Sequence, residues 1–193
     1  MKNILFIDGQ NFINGINIIL NQKKDKNINF SIYDFLGLIE KVLKGINIDK
    51  KVFYLGRLLE HPDTAEKSKD LIEKQRKLKA HLTEQGFEVI LGGRVRGYKE
   101  KCIKGHETLT FKEKGIDVRI AVDMISLACD NQLKTAIIGS SDSDLQPAIL
   151  ELKKRKIEMV YLGFENSPNK GLTFTTNRTI LIRNSEVIEF MSK

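Results

Sequence analysis

Two apolar runs in this sequence each stop abruptly at carboxylates. Ile4–Ile7 leads into Asp8-Gly9-Gln10-Asn11, and Thr135–Gly139 leads into Ser140-Ser141-Asp142-Ser143-Asp144. A third acid, Asp117, follows Lys114-Gly115-Ile116 and opens a long apolar stretch. Carboxylates gathered within a few ångströms repel one another, so they either take up protons or bind a cation. Oxygen-only ligands suit hard ions such as Mg²⁺ or Mn²⁺, which keep several waters and engage phosphates. Ions of this kind stabilise both the attacking and the leaving oxygen when a phosphodiester is cleaved. Asn11 could orient a ligand or a phosphate through its amide. Each acid also has a plainer role open to it. Asp8-Gly9 could simply turn the chain, Asp142–Asp144 ahead of Pro147 could start a helix, and Asp117 could cap one.

The elements that must position these residues alternate between strand and helix. Apolar runs at Ile4–Ile7, Val52–Leu55, Phe87–Leu91, Thr135–Gly139 and Ile157–Leu162 predict five strands, and Val187–Phe190 a further edge strand. Between them, Asn11–Leu20 reads as loop entering helix. Ser31-Ile32-Tyr33-Asp34 has the pattern of a capping box, ahead of Phe35, Leu38, Ile39, Val42 and Leu43 at helical spacing. A long amphipathic helix starts at Pro62-Asp63-Thr64 and ends at Gly86. Residues 92–114, rich in Gly and Lys, read as a loop or irregular hairpin, whose length implies a function. Ile116–Ala128 is apolar on nearly every face, as a buried helix would be. Pro147–Lys154 is a helix, and 164–178 is loop-like.

This alternation predicts an α/β domain spanning residues 1–193, with a mainly parallel sheet of five or six strands between helices and 164–193 as an extension on the same domain. Ligands in such sheets sit at the carboxyl ends of strands where strand order reverses. If the first and fourth strands are neighbours, Asp8, Asp142 and Asp144 converge there. That joint placement weighs against the plainer roles. Asp123 is different: at roughly 100° per residue it lies about 120° around the helix from Asp117. An acid in so apolar a helix needs a partner, either in the site or as a structural hydrogen bond.

Taken together, Ile-Asp-Gly-Gln-Asn at 7–11, Lys-Gly-Ile-Asp-Val-Arg-Ile-Ala-Val-Asp at 114–123 and Gly-Ser-Ser-Asp-Ser-Asp-Leu at 139–145 resemble the NYN domain, and more narrowly its LabA-like bacterial branch. The resemblance runs across about residues 2–163. It implies a PIN-like three-layer fold and a ribonuclease using Mg²⁺ or Mn²⁺. It carries the acidic site onto Asp8, Asp117, Asp142 and Asp144, with Asn11 beside it and Asp123 as a further acid of the family pattern. The chain departs from that pattern at Ser141, where the family commonly has glycine, and at Leu145, where it often has an aromatic residue. A haloacid-dehalogenase-like phosphatase also places an aspartate after its first strand, but as Asp-x-Asp; here the sequence is Asp8-Gly9-Gln10.

The rest of the chain suits a polyanionic partner. The net charge is +7, and eleven Lys and Arg residues fall within 66–104 against six acids. The glycines and cations around Arg94, Arg96 and Tyr98 could hold a single-stranded backbone and stack a base; otherwise they form a solvated basic loop. Lys114, Ser140 and Ser141 stand where they could meet phosphate. RNA, single-stranded or structured, is the expected partner, with DNA as the alternative. A non-catalytic nucleic-acid-binding module with the same fold is the rival reading. Lys153–Lys156 suits a helix C-terminus. Cys102 and His106 have a spacing zinc could use but lack a second pair, His61 reads as a surface-loop residue, and His81 is expected on an exposed helix face. No apolar run reaches the roughly 18 residues of a membrane span, no secretory leader is recognisable, and two cysteines form no disulfide framework. The expected setting is therefore cytoplasmic, and an exposed sheet edge could support a homodimer.

Overall fold

The computed structural model describes residues 1–21, 28–60, 65–101 and 107–191, with the side chains of 65–66, 96–101 and 107–113 outside the description. The elements run β1 (Lys2–Asp8), α1 (Gly9–Asn21), α2 (Phe35–Val42), β2 (Lys50–Leu58), α3 (Ala65–Glu84), β3 (Glu88–Lys101), β4 (Glu107–Lys114), α4 (Ile116–Cys129), β5 (Leu133–Gly139), α5 (Gln146–Lys154), β6 (Glu158–Phe164), α6 (Lys170–Thr175), β7 (Arg178–Ile182) and α7 (Asn184–Glu189). A single 3₁₀ turn, Ser143–Leu145, precedes α5.

The seven strands form one sheet in the order β4-β3-β2-β1-β5-β6-β7. Six are mutually parallel; only the edge strand β4 is antiparallel, to β3. The chain builds outward from β1 to β4, returns to lay β5 against the other side of β1, and continues to β7. Strand order therefore reverses between β1 and β5, where a crevice opens at the carboxyl ends of the strands.

The central strands are apolar on both faces because helices cover both. Leu5, Ile7, Phe53 and Ile137 join the core beneath α1, α2 and α7. The alternate residues Ile4, Phe6, Val52, Tyr54, Ala136 and Ile138 pack against α4 and α5. The same period-2 alternation sets Asp8 and Ser140 on the α4 side of the sheet.

The 92–114 stretch, expected as a loop or irregular hairpin, pairs as a hairpin of β3 and β4 over its described residues, with Arg94 opposite Lys114 and Tyr98 opposite Thr110. Several other local expectations are corrected. Asp34, not Ser31, caps α2, accepting from the Gly37 amide at 2.8 Å. Helix α1 begins directly at Gly9. The 164–178 stretch contains α6, capped by Asn169. The last strand is Arg178–Ile182, and the segment expected as a strand at 187–190 forms the end of α7 with Phe190 as its C-cap. In α7 the Arg183 amide donates to Glu186 at 2.8 Å, fixing the helix start. Helix α4 is not buried all round: Val118 is 61% and Val122 53% exposed. Cys129 is exposed as well. His81 is half-buried, with Nε2 2.8 Å from the Tyr33 carbonyl. His61, Cys102 and His106 lie outside the described residues.

Gly9 is where close packing meets the site. A Cβ there would stand 2.5 Å from the Tyr54 carbonyl and 2.6 Å from both Phe53 and Leu55. Helix α1 can leave β1 immediately after Asp8 only because this residue has no side chain. Gly9→Ala should cost about 1–3 kcal/mol of stability through overpacking, read as a lower chemical-denaturation midpoint. It should also depress any activity that depends on Asp8, since the adjacent backbone must move.

Candidate metal centre

Asp117, Asp142 and Asp144 each offer a carboxylate oxygen within 4.8 Å of the others. They come from different parts of the chain. Asp117 lies in the first turn of α4, behind Gly115, whose φ of +89° starts that helix. Asp142 caps the 3₁₀ turn, accepting from the Asp144 amide at 2.8 Å. The three acids stand over the β1/β5 reversal, and all but Asp144 are half-buried.

Asp8 lies beside this trio and is only 4% exposed. Asn11 donates to it twice, from its amide N–H to Oδ1 at 3.2 Å and from Nδ2 to Oδ2. Ser140 donates to Oδ2 at 3.2 Å. Burial pushes the Asp8 carboxyl above the usual carboxylate range, these hydrogen bonds pull it back, and the charge of Asp142 pushes it up again. A carboxylate held so tightly beside other acids is costly to keep charged, and a cation would offset that cost.

A chain of hydrogen bonds connects the loops. The Ser140 hydroxyl accepts from the Asp142 amide at 3.0 Å, and the Ser141 hydroxyl donates to Asn11 Oδ1 at 2.9 Å. Asn169, which sequence reasoning missed, donates from Nδ2 to the Ser141 carbonyl at 2.8 Å and takes up the Tyr161 hydroxyl through its own amide. Its one sequence signal is the turn composition of Ser167-Pro168-Asn169. The serine at 141 needs no left-handed backbone: the only non-glycine residues with positive φ among those described are Asn131 and Lys156. Leu145 is fully buried against α4 and α5.

Asp8, Asp117 and Asp142 face a depression of about 380 Å³, lined also by Asn11, with Lys114 its one cation among the described residues. Lys114 ends β4 opposite Arg94, which is exposed. The bend at Gly93 (φ +55°) brings that backbone against the Lys114 carbonyl, 2.3 Å from where a Cβ would stand. Arg96 and Tyr98 occupy the next alternate positions of β3, but their side chains lie outside the description.

Asp123 stands outside the trio. Its carboxylate accepts from the Tyr54 hydroxyl at 3.1 Å and from Arg119 Nε at 2.9 and 3.0 Å. Burial, and then Asp123, push the Tyr54 hydroxyl far above its ordinary value, so it remains a donor. Elsewhere part of the basic charge is paired locally. On α3, Lys74 pairs with Asp70, and Arg76 and Lys77 with Glu73. Lys153 donates to the Thr175 carbonyl at 2.7 Å, tying α5 to α6, while Lys154 and Arg155 pair with Glu151.

A parallel sheet, a strand-order reversal and acids from β1, α4 and the β5 loop agree with the nuclease-like PIN-superfamily fold that the family match implies. The chain belongs to the NYN domain family, which matches residues 2–183. Among solved structures it is similar to a crystal structure of a protein of unknown function from Vibrio parahaemolyticus. That likeness has a TM-score of 0.58 at 18% identity, covering 94% of this chain and 93% of the other, and it shows the fold. No curated protein matches the chain. Among the described residues no helix is long and apolar enough to cross a membrane.

Proposed function

We propose that the chain is a metal-dependent ribonuclease that hydrolyses RNA phosphodiester bonds. The observation that carries this reading is the trio of carboxylates from Asp117, Asp142 and Asp144 gathered within 4.8 Å at the strand-order reversal of a NYN domain. The donor set is all oxygen, accessible and negatively charged, which fits Mg²⁺ or Mn²⁺ and not a thiolate-seeking ion.

Asp117, Asp142 and Asp144 would hold the ion, with Asp8 adding its charge to the same depression. The ion would supply Lewis acidity toward the phosphate and a lowered pKa for the attacking water. The chain's own residues do the rest. Asn11 and Ser140 fix the Asp8 carboxylate, and Asn11 passes that order on to Ser141. Lys114 offsets the repulsion between the acids and an incoming phosphate, and Arg94 extends that cationic path along the hairpin. No side-chain nucleophile is required, because water attacks phosphorus. Asp123 acts at one remove, holding Tyr54 and Arg119 on the flank of α4.

The test is cleavage of labelled single-stranded RNA and of the same sequence as DNA, with Mn²⁺, Mg²⁺ or EDTA. The expected result is cutting of RNA with either ion and none with EDTA. Cutting of DNA alone would overturn the substrate assignment. Salt-sensitive RNA binding without cutting under any ion would favour a binding module that retains the fold.

A further inference from the structure

A second cavity, of about 250 Å³, opens next to the acidic depression on the opposite side of the sheet's carboxyl edge. The two share Asn11. On one side its amide grips Asp8, and on the other its Oδ1 receives the Ser141 hydroxyl. The inner wall is aromatic: the Phe12 and Phe164 rings lie with centroids 5.3 Å apart at 49°. Both rings are buried in the core, Phe12 1% and Phe164 9% exposed, so the wall is held rigidly. Gly15 makes that arrangement possible, because a Cβ there would stand 2.2 Å from the Phe164 ring. The mouth is formed by Ile18 and by the polar residues Asn14 and Ser167, all exposed.

We infer that this cavity receives one nucleobase of the strand whose phosphate lies over Asp117, Asp142 and Asp144. The inference rests on the nucleic-acid reading of the acidic site. Pockets for drug-sized ligands measure roughly 300–1,000 Å³, so this one takes a smaller group. A narrow slot with an aromatic wall and amide and hydroxyl groups at its rim matches the two faces of a base, apolar on the ring and hydrogen-bonding at the edge. Proteins that read single-stranded RNA splay unstacked bases out of the strand and hydrogen-bond their edges. Continuity through Asn11 makes a nucleotide next to the scissile phosphate the occupant. A paired base cannot leave its helix without unstacking, so the cavity selects single-stranded substrate.

The experiment uses one labelled RNA carrying a single abasic nucleotide at successive positions around the cleaved bond. Cleavage is followed with the wild-type chain, and binding by fluorescence anisotropy with Asp142→Asn. Loss of the base from the cavity predicts binding and cleavage weaker by about tenfold at one fixed offset from the cleaved bond, and little elsewhere. Ser167→Phe, which fills the mouth, should weaken binding of intact RNA by a similar factor and remove the abasic effect. Ile18→Trp obstructs the mouth from α1 and should reproduce Ser167→Phe, so misfolding of one variant cannot imitate the result. Position-dependent binding without cleavage would uphold the base site and overturn the hydrolytic reading. Cleavage insensitive to abasic position, or unaffected by both mouth-filling variants, would overturn the base site and leave hydrolysis standing. Failure to bind RNA at all would overturn both.

Discussion

Asp142→Asn is expected to lower metal-dependent RNA cleavage by at least about a thousandfold while leaving the metal-free protein as stable as the wild type. The ion's stabilisation of transition-state charge is worth several kcal/mol, and each 1.36 kcal/mol is a factor of about ten in rate. Stability should not follow activity, for two reasons visible in the site. Asp142 caps the 3₁₀ turn through a side-chain oxygen that accepts from the Asp144 amide, and asparagine caps about as well as aspartate. Its charge also presses on the buried Asp8 carboxyl, and that pressure is removed. Asp142→Ala should lose the cap as well, costing about 1 kcal/mol, or about 2–4 °C in a chain of this size. Single-turnover cleavage and calorimetric melting measure the two effects separately. Manganese at about 100 times its Kd should stabilise the wild type by about 2.7 kcal/mol and Asp142→Asn far less. Undiminished cleavage by Asp142→Asn would remove this carboxylate from the mechanism.

Asp8 and Ser140 were legible in the sequence because a parallel strand ends at a loop, and the loop residue is next to the apolar run that announces the strand. Asp8 follows Ile7 and Ser140 follows Gly139 with nothing between them, so finding the strand finds the residue. What escaped depends on contacts between distant positions. Asp123 is held by Tyr54, 69 residues away, and Asn169 by the carbonyl of Ser141, 28 residues away. No local pattern announces either pair. The hairpin was legible only as an alternative to a loop. Thr108, Leu109, Thr110 and Phe111 do alternate polar and apolar, as a strand with two unlike faces would, but Gly92, Gly93, Gly97 and the surrounding lysines outweighed that short stretch. At Val187–Phe190 the apolar run is too brief to separate strand from helix by periodicity alone. The hydrogen bond between Arg183 and Glu186 upstream decides for the helix.

Phe53→Ala is expected to lower stability by about 4 kcal/mol, within the roughly 3–5 kcal/mol of large aromatic truncations in cores. At about 2–4 °C per kcal/mol this is a fall of about 8–16 °C in the melting temperature. The ring is completely buried and sits among three others: Phe12 at 6.5 Å, Phe35 at 5.7 Å and Phe87 at 6.0 Å, each approached edge to face. These pairings add to the burial itself, since such geometry is worth about 0.5–1.5 kcal/mol beyond area. Small movements cannot close the void, because its walls belong to β1, β2, α1 and α2 and the sheet holds the strands in register. The consequence reaches the site, since the same ring lies under Gly9, next to Asp8, and Phe12 also walls the second cavity. Phe53→Ala should therefore weaken RNA binding at temperatures well below its own melting point, whereas Phe87→Ala, farther from Gly9, should destabilise without that loss. Denaturation midpoints paired with binding at 15 °C would separate the two. Equal binding by both variants would show that the aromatic core supports the fold without setting the shape of the site.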